Sequence, residues 1–334
     1  MFEAKCSHCM KTEIKKFRTY KIKNGPERTI FQCNHCGTNF SETCNTPLVG
    51  LRRPISLIVM VLSSIAEGTG INATARIFNV GKNSIYRWQT RLGDLKETLM
   101  LFALVNQFFK QVIEGDELYT KVDKNHPQDQ SEGWTIVLMD RASRFIWDIQ
   151  CGRKNRTMFK KTIKHLSKVL DQTEELTLLT DGERRYGNLL FEICNEVVKT
   201  GKRGRPRKTL PKGVIVRIKN KGSQSHKRGR KRQKYQDPQP EHPETIQNIE
   251  NKEIHANHVE AFNASLRRRC AAYRRRTNTY AKIKNRLQER LDLIWIFHNF
   301  TNIHFTTRQV PAVALGIMTQ GIKTEDLFYI HKIK

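Results

Sequence analysis

Ile113-Glu114-Gly115-Asp116-Glu117-Leu118-Tyr119 is the stretch on which the reading of this 334-residue chain turns. Before it, apolar residues recur at helical spacing; from Val112 they alternate with polar ones, the period of a half-buried strand. Asp116 therefore falls mid-strand, with Gly115 before it and Glu117 on the opposite face. Strands are predicted at Ile113 to Val122, Trp134 to Met139 and Phe145 to Gln150, their turns carrying Gly133 and Arg141-Ala142-Ser143. Phe159, Ile163, Leu166 and Val169 space a helix over Thr157 to Leu170, and Leu176 to Leu179 reads as a buried strand. That strand would deliver Asp181, in Thr180-Asp181-Gly182, to its C-terminal end. Asn188 to Val198 predicts a second amphipathic helix.

Upstream, residues 1–46 are polar and Cys-rich. Cys6-x-x-Cys9 and Cys33-x-x-Cys36 form two pairs separated by 23 residues. Two such knuckles meeting at one tetrahedral zinc would let a segment with almost no apolar core fold as a zinc ribbon. Four free or redox thiols are the plainer alternative, and no βαβ pattern follows Cys9 to support a thioredoxin-like site. Residues 52–98 read as helices. Asn72 to Phe78, a turn at Val80-Gly81 and Asn83 to Arg91 together have the form of a helix-turn-helix. Ile85, Trp88 and Leu92 would face inward, and Ser84, Arg87 and Arg91 would face DNA. A generic three-helix packing unit is the competing reading.

Lys and Arg number 60 against 32 Asp and Glu, for a formal net charge of +28. That imbalance points to nucleic acid before an anionic membrane surface. The longest early apolar run, Ile55 to Leu62, is too short to span a bilayer, and no secretory signal opens the chain. A cytoplasmic, nucleoid-associated protein in a reducing compartment is predicted, with its eight Cys serving as ligands or core residues rather than disulfides.

The charge is uneven. Residues 201–234 hold fifteen Lys or Arg and no acid. Arg203, Arg205 and Arg207 lie in Lys202-Arg203-Gly204-Arg205-Pro206-Arg207-Lys208, an AT-hook-like segment suited to a narrow minor groove. Non-specific phosphate contact is the plain reading of the same run. Val214 to Ile218 has the makings of a small strand, and 201–254 as a whole reads as a basic insert or linker. From His258 a long helix is predicted through Tyr280, Leu287, Leu291 and Trp295, with Glu260 on its first turn. Arg268 and Arg275, in its basic runs, are further candidates for DNA contact.

Three strands, a helix, a strand and a helix is the order of a ribonuclease-H-like core. The predicted fold class is therefore α/β: such a core over 110–200 and 255–334, preceded by a zinc ribbon and an all-α helix-turn-helix domain. Asp116, Asp181 and Glu260 are the acids this core would present. Carboxylates suit Mg²⁺ or Mn²⁺, and two such ions about 4 Å apart serve phosphodiester chemistry.

In this order the motifs resemble the DDE transposases of bacterial insertion sequences, in particular the group typified by insertion sequence one. The matching residues are Asp116-Glu117-Leu118-Tyr119, Thr180-Asp181-Gly182 with Tyr186-Gly187, and His258-Val259-Glu260 with Asn263, Leu266 and Arg267. The tail segments Asn302-Ile303-His304 and Val310-Pro311-Ala312 are similar as well, whereas the insert near 201–250 departs from the shortest members. The resemblance implies supporting roles for Asn263 and Arg267. It also implies Mg²⁺-dependent cleavage and strand transfer at terminal inverted repeats and target DNA, by a homodimer or higher oligomer. A DNA-binding regulator without catalysis and a structure-specific nuclease of the same fold are the rival expectations.

Overall fold

The computed structural model describes residues 5–22, 25, 27–123, 126–198, 206–218, 239–240, 251–274 and 279–333. They divide into two compact units, Met1–Leu99 with Asp292–Phe297 and Ile322–Lys334, and Met100–Leu291 with His298–Gly321.

The first unit opens with an antiparallel sheet of β1 (Ile14–Lys21), β2 (Glu27–Cys33) and β3 (Asn39–Ser41). Its core is small: Cys6, Cys33 and Phe40, backed by Ile14 and Phe31. Three helices follow, α1 (Ile55–Ala66), α2 (Ile71–Ile77) and α3 (Lys82–Gly93). Ile58, Val61, Leu62 and Ile65 bury one stripe of α1, and Ile85, Trp88 and Leu92 bury one stripe of α3. Lys332 reaches back to Asp94 at 2.9 Å, so the chain's last residues belong to this unit. The next helix is α4 (Leu95–Leu104).

The second unit is built on a mixed sheet. In chain order its strands are β4 (Phe108–Tyr119), β5 (Trp134–Asp140), β6 (Ile146–Gly152) and β7 (Thr173–Thr180). A helix, α5 (Arg156–Leu170), precedes β7, and α6 (Arg185–Cys194) follows it. A two-stranded ribbon, β8 (Glu196–Val198) with β9 (Arg207–Thr209), leads to β10 (Val214–Ile218) and to the two-residue β11 (Gln239–Pro240). The spatial order is β11-β10-β7-β4-β5-β6. Strands β4, β5 and β6 are antiparallel neighbours, whereas β4, β7 and β10 run parallel. Helices α5 and α6 pack on each other, and Phe159 meets Tyr186 edge-on at 4.9 Å. On the other face, α7 (Asn257–Arg269) packs against β4 and β5.

Beyond α7 come α8 (Lys284–Ile296), a π-turn over Phe297–Thr301 and the short α9 (Pro311–Ala314). The edge strand β6 is covered by side-chain amides. Asn299 Oδ1 accepts from Ile146 N and its Nδ2 donates to Ile146 O, both at 2.9 Å, while Gln288 does the same for Cys151 N and Ile149 O. An otherwise open row of backbone groups is thereby satisfied.

Three elements differ in their bounds from the sequence expectation. β4 begins five residues before Ile113, because Phe108 to Val112 pair in register with Thr173 to Thr177, and it ends at Tyr119 rather than Val122. The helix expected over 188–198 ends at Cys194, and Glu196–Val198 forms the ribbon with β9. The small strand expected at Val214–Ile218, inside the basic stretch, is present and joins the sheet beside β7. The long helix expected from His258 to Trp295 is two helices. It breaks at Cys270, where a short 3-10 turn carries Tyr273 into the core to meet the Thr135 hydroxyl of β5.

Candidate functional site

The cysteines converge within the first unit. Cys6, Cys9, Cys33 and Cys36 bring their sulfurs to within 4.8 Å of one another, with Cys6–Cys36 and Cys9–Cys33 both at 3.5 Å. The two knuckles are backbone copies. Met10 N donates to Cys6 O as Gly37 N does to Cys33 O, and Cys6 N donates to Lys11 O as Cys33 N does to Thr38 O. Tetrahedral Zn–S bonds place sulfurs about 3.8 Å apart, so the donor set fits that ion. The thiols also polarise one another. Hydrogen bonds from Thr38 bring Cys36 down to about 5. At Cys9 the Lys11 backbone pulls downward, but burial and the neighbouring thiols win and push it up to about 12. Four thiolates cannot share this space without a cation.

On α3, Arg87 is exposed while Ser84 and Arg91 are half-buried. Arg207 is exposed at the start of β9, paired with Val198. Arg268 is exposed on α7. Arg203, Arg205 and Arg275 lie outside the described residues.

The acids gather around β4. Gly115 pairs with Thr180 across parallel strands, so Asp116 and Asp181, each one residue further on, leave neighbouring strands at equivalent positions. Adjacent strands lie about 4.8 Å apart. A Cβ at Gly115 would come within 3.1 Å of Leu138 Cδ2 and 3.3 Å of Thr180 Cγ2, which explains the glycine at this crossing. After Asp181 the chain turns at Gly182, with φ +68, a conformation that glycine adopts without cost.

Helix α7 is docked by a residue that sequence reasoning passed over. Its N-cap position, Ala256, offers no side chain to the helix N-terminus. Glu114, fully buried on β4, accepts instead from the backbone N–H of His258 at 2.9 Å and of Val259 at 3.1 Å. It also pairs with Arg141 Nε and His258 Nδ1, both at 2.7 Å. Burial alone would raise its pKa; the His258 and Val259 hydrogen bonds hold it below the ordinary value. A carboxylate from the sheet thus supplies the cap. Strand alternation carries the signal, since Glu114 shares a face with Asp116.

Thus anchored, α7 brings Asn263 to Asp116, with Nδ2 donating to Oδ2 at 2.8 Å. Asn263 is buried, and its Oδ1 has no hydrogen-bond partner among the described residues. Glu260 lies on the first turn of α7, exposed; Arg267 is half-buried, and the 260, 263, 267 spacing keeps all three on one face. Burial, then the charge of Glu117, pushes Asp116 up to about 6; the Asn263 hydrogen bond opposes this and Asp181 adds to it. Glu117 is neutralised on the other face of the sheet by Lys154 at 2.7 Å, which also lies 3.4 Å from Glu183.

Among the described residues, ligand atoms gather within 4.8 Å in two groups, the four cysteines and Glu114–His255–His258. Asp116, Asp181 and Glu260 do not form a third. The second group is already balanced by Arg141, whose Nη2 lies 3.4 Å from His255 Nδ1, so a cation there would have to displace a guanidinium. No helix among the described residues is long and apolar enough to cross a membrane. No protein-family model matches the chain, and no curated protein matches it either.

Proposed function

We propose that the protein is a DNA transposase of the DDE type, with a ribonuclease-H-like core as its catalytic body. One observation carries this reading. Asp116 and Asp181 hold equivalent positions along adjacent parallel strands, while a helix capped by Glu114 brings Asn263 to Asp116 and carries Glu260 in its first turn. Asp116, Asp181 and Glu260 would hold Mg²⁺ or Mn²⁺. The chemistry of the donors fits: burial and neighbouring carboxylates push Asp116 up to about 6, and Asn263 Oδ1, which has no partner among the described residues, adds a neutral oxygen beside it. When bound, the ions supply Lewis-acid activation of water or a 3′-hydroxyl and neutralise charge at the leaving oxygen.

The chain's own residues orient and hold. Asn263 fixes the Asp116 carboxylate, and Glu114 fixes the angle of α7. Arg267, on the same helix face, offers a charge to the scissile phosphate. In the first unit, the four cysteines would hold one zinc. α2 and α3 with their four-residue turn would act as a helix-turn-helix that reads the element's ends, and the exposed Arg87 is the residue best placed to reach a base edge. The net charge of +28 supports a polyanionic partner.

The test is cleavage and joining of a labelled element end in Mg²⁺, run beside a gel-shift titration. Asp116→Asn and Glu260→Gln should each reduce both reactions to background while end binding survives. Wild-type cleavage by Glu260→Gln would remove the catalytic assignment.

A further inference from the structure

Helix α7 has a second working face. Opposite Glu260, Asn263 and Arg267, the residues Ala261, Ser265, Arg268 and Arg269 line a cavity of about 460 Å³. Its other walls come from Arg144 in the β5–β6 turn and from the segment between His298 and Thr306. No Asp or Glu is among its lining residues. Arg144 is held there by its backbone, at φ 65, with its carbonyl accepting from His298 Nε2 at 2.8 Å. Its Nη1 is buried and has no hydrogen-bond partner among the described residues. A buried guanidinium donor without an acceptor is costly. Burial lowers the pKa of Arg144, while Glu114 and Asp140, which do not line the cavity, act in the other direction. Inside the cavity His304 feels a positive field: burial first, then Arg144 and Arg269, lower its pKa. An entering anion would satisfy the orphaned donor and offset that field.

The size and the rim narrow the choice of anion. A volume of about 460 Å³ falls in the range that encloses small organic ligands and exceeds what a bare phosphate needs. Phe305 lines the rim with 79% of its surface exposed, and Arg308 sits 4.5 Å from its ring centroid. An exposed aromatic beside convergent arginines is the arrangement that stacks an unpaired base while its phosphate is held. A paired base stays within its own stack and offers no face to such a ring. We propose that this cavity seats one unpaired nucleotide of a DNA strand, with its phosphate on Arg144, Arg268 and Arg269 and its base against Phe305. The inference rests on the nucleic-acid reading above and adds to it a preference for frayed or single-stranded flanks.

Fluorescence anisotropy with the full-length protein at fixed salt tests it, using a blunt duplex and the same duplex carrying a short single-stranded extension. The wild type should bind the extended duplex more tightly by about tenfold. Arg144→Gln and Phe305→Ala should each bring that ratio close to one and leave blunt-duplex binding unchanged. Phe305→Tyr should retain the preference, and so should Lys168→Gln, a control that removes an exposed charge from α5. Phe305 is exposed, so its variants fold even if Arg144→Gln does not. Equal binding of both duplexes by the wild type, or an equal loss on both duplexes in the Phe305→Ala variant, overturns the pocket and leaves the nucleic-acid reading standing. Failure to bind either duplex overturns both.

Discussion

His298 shows how one side chain can tie stability to pH. It is buried, packs edge-on against Phe262 at 5.2 Å and donates from Nε2 to Arg144 O. Burial lowers it from 6.5 to about 4, partly offset by the Arg144 carbonyl. In the unfolded chain the same imidazole takes a proton near its ordinary value. The unfolded state therefore binds more protons between these values, and the contribution is present above pH 6.5 and lost as pH falls toward 4. Its ceiling is about 3 kcal/mol. His298→Gln should flatten the acid limb of unfolding free energy against pH, measured by urea denaturation at pH 7 and pH 4.5. An unchanged difference between the two pH values would exclude His298 as the group responsible.

At the scale of the element, α7 depends on a cap from another strand. Ala256 caps nothing, and the last turn carries Arg267, Arg268 and Arg269, which favour the helix C-terminus electrostatically. The backbone N–H groups of His258 and Val259 at its N-terminal end are held by Glu114, with Arg141 balancing the charge. Glu114→Gln keeps the shape and removes the charge, leaving Arg141 and two helix amides poorly matched. Stability should fall by about 2–4 kcal/mol. Amide exchange at His258 and Val259 should accelerate more than exchange in β5. The proposed cleavage should fall as well, because Glu260 and Asn263 ride on the same helix. Uniform acceleration across the second unit would mean that Glu114 holds the unit together generally and does not fix α7 in particular.

For the whole molecule, two compact units imply that unfolding is not a single two-state event. The sheet of the first unit has a core of Cys6, Cys33 and Phe40, too little apolar surface to stand without a cross-link. Metal analysis should find about one zinc per chain, and chelation or Cys33→Ser should abolish the calorimetric transition of the first unit. The transition of the second unit, built on the six-stranded sheet, should stay within a few degrees of the untreated protein. Loss of both transitions on chelation would show that the units do not unfold separately. The topology also limits how the basic stretch can be removed: fifteen Lys or Arg fall within 201–234, yet Val214–Ile218 is a strand between β7 and β11, so an excision must spare it.

Local pattern was enough to specify much of this protein. The paired Cys-x-x-Cys knuckles, the buried stripe of Ile85, Trp88 and Leu92, the strand around Asp116 and the strand ending at Thr180 all follow from period and spacing. Each depends on residues close in sequence or on a donor set whose chemistry is its own signature. Tertiary structure alone decided the early start of β4, the entry of Val214–Ile218 into the sheet and the break of the last long helix at Cys270. It also decided that Glu114 caps α7 from 144 residues away and that one helix face meets Asp116 while the other lines a cationic cavity. Those outcomes rest on pairing register, desolvation and long-range hydrogen bonds. None of these leaves a periodicity to read, because the partner groups meet only after the chain has folded.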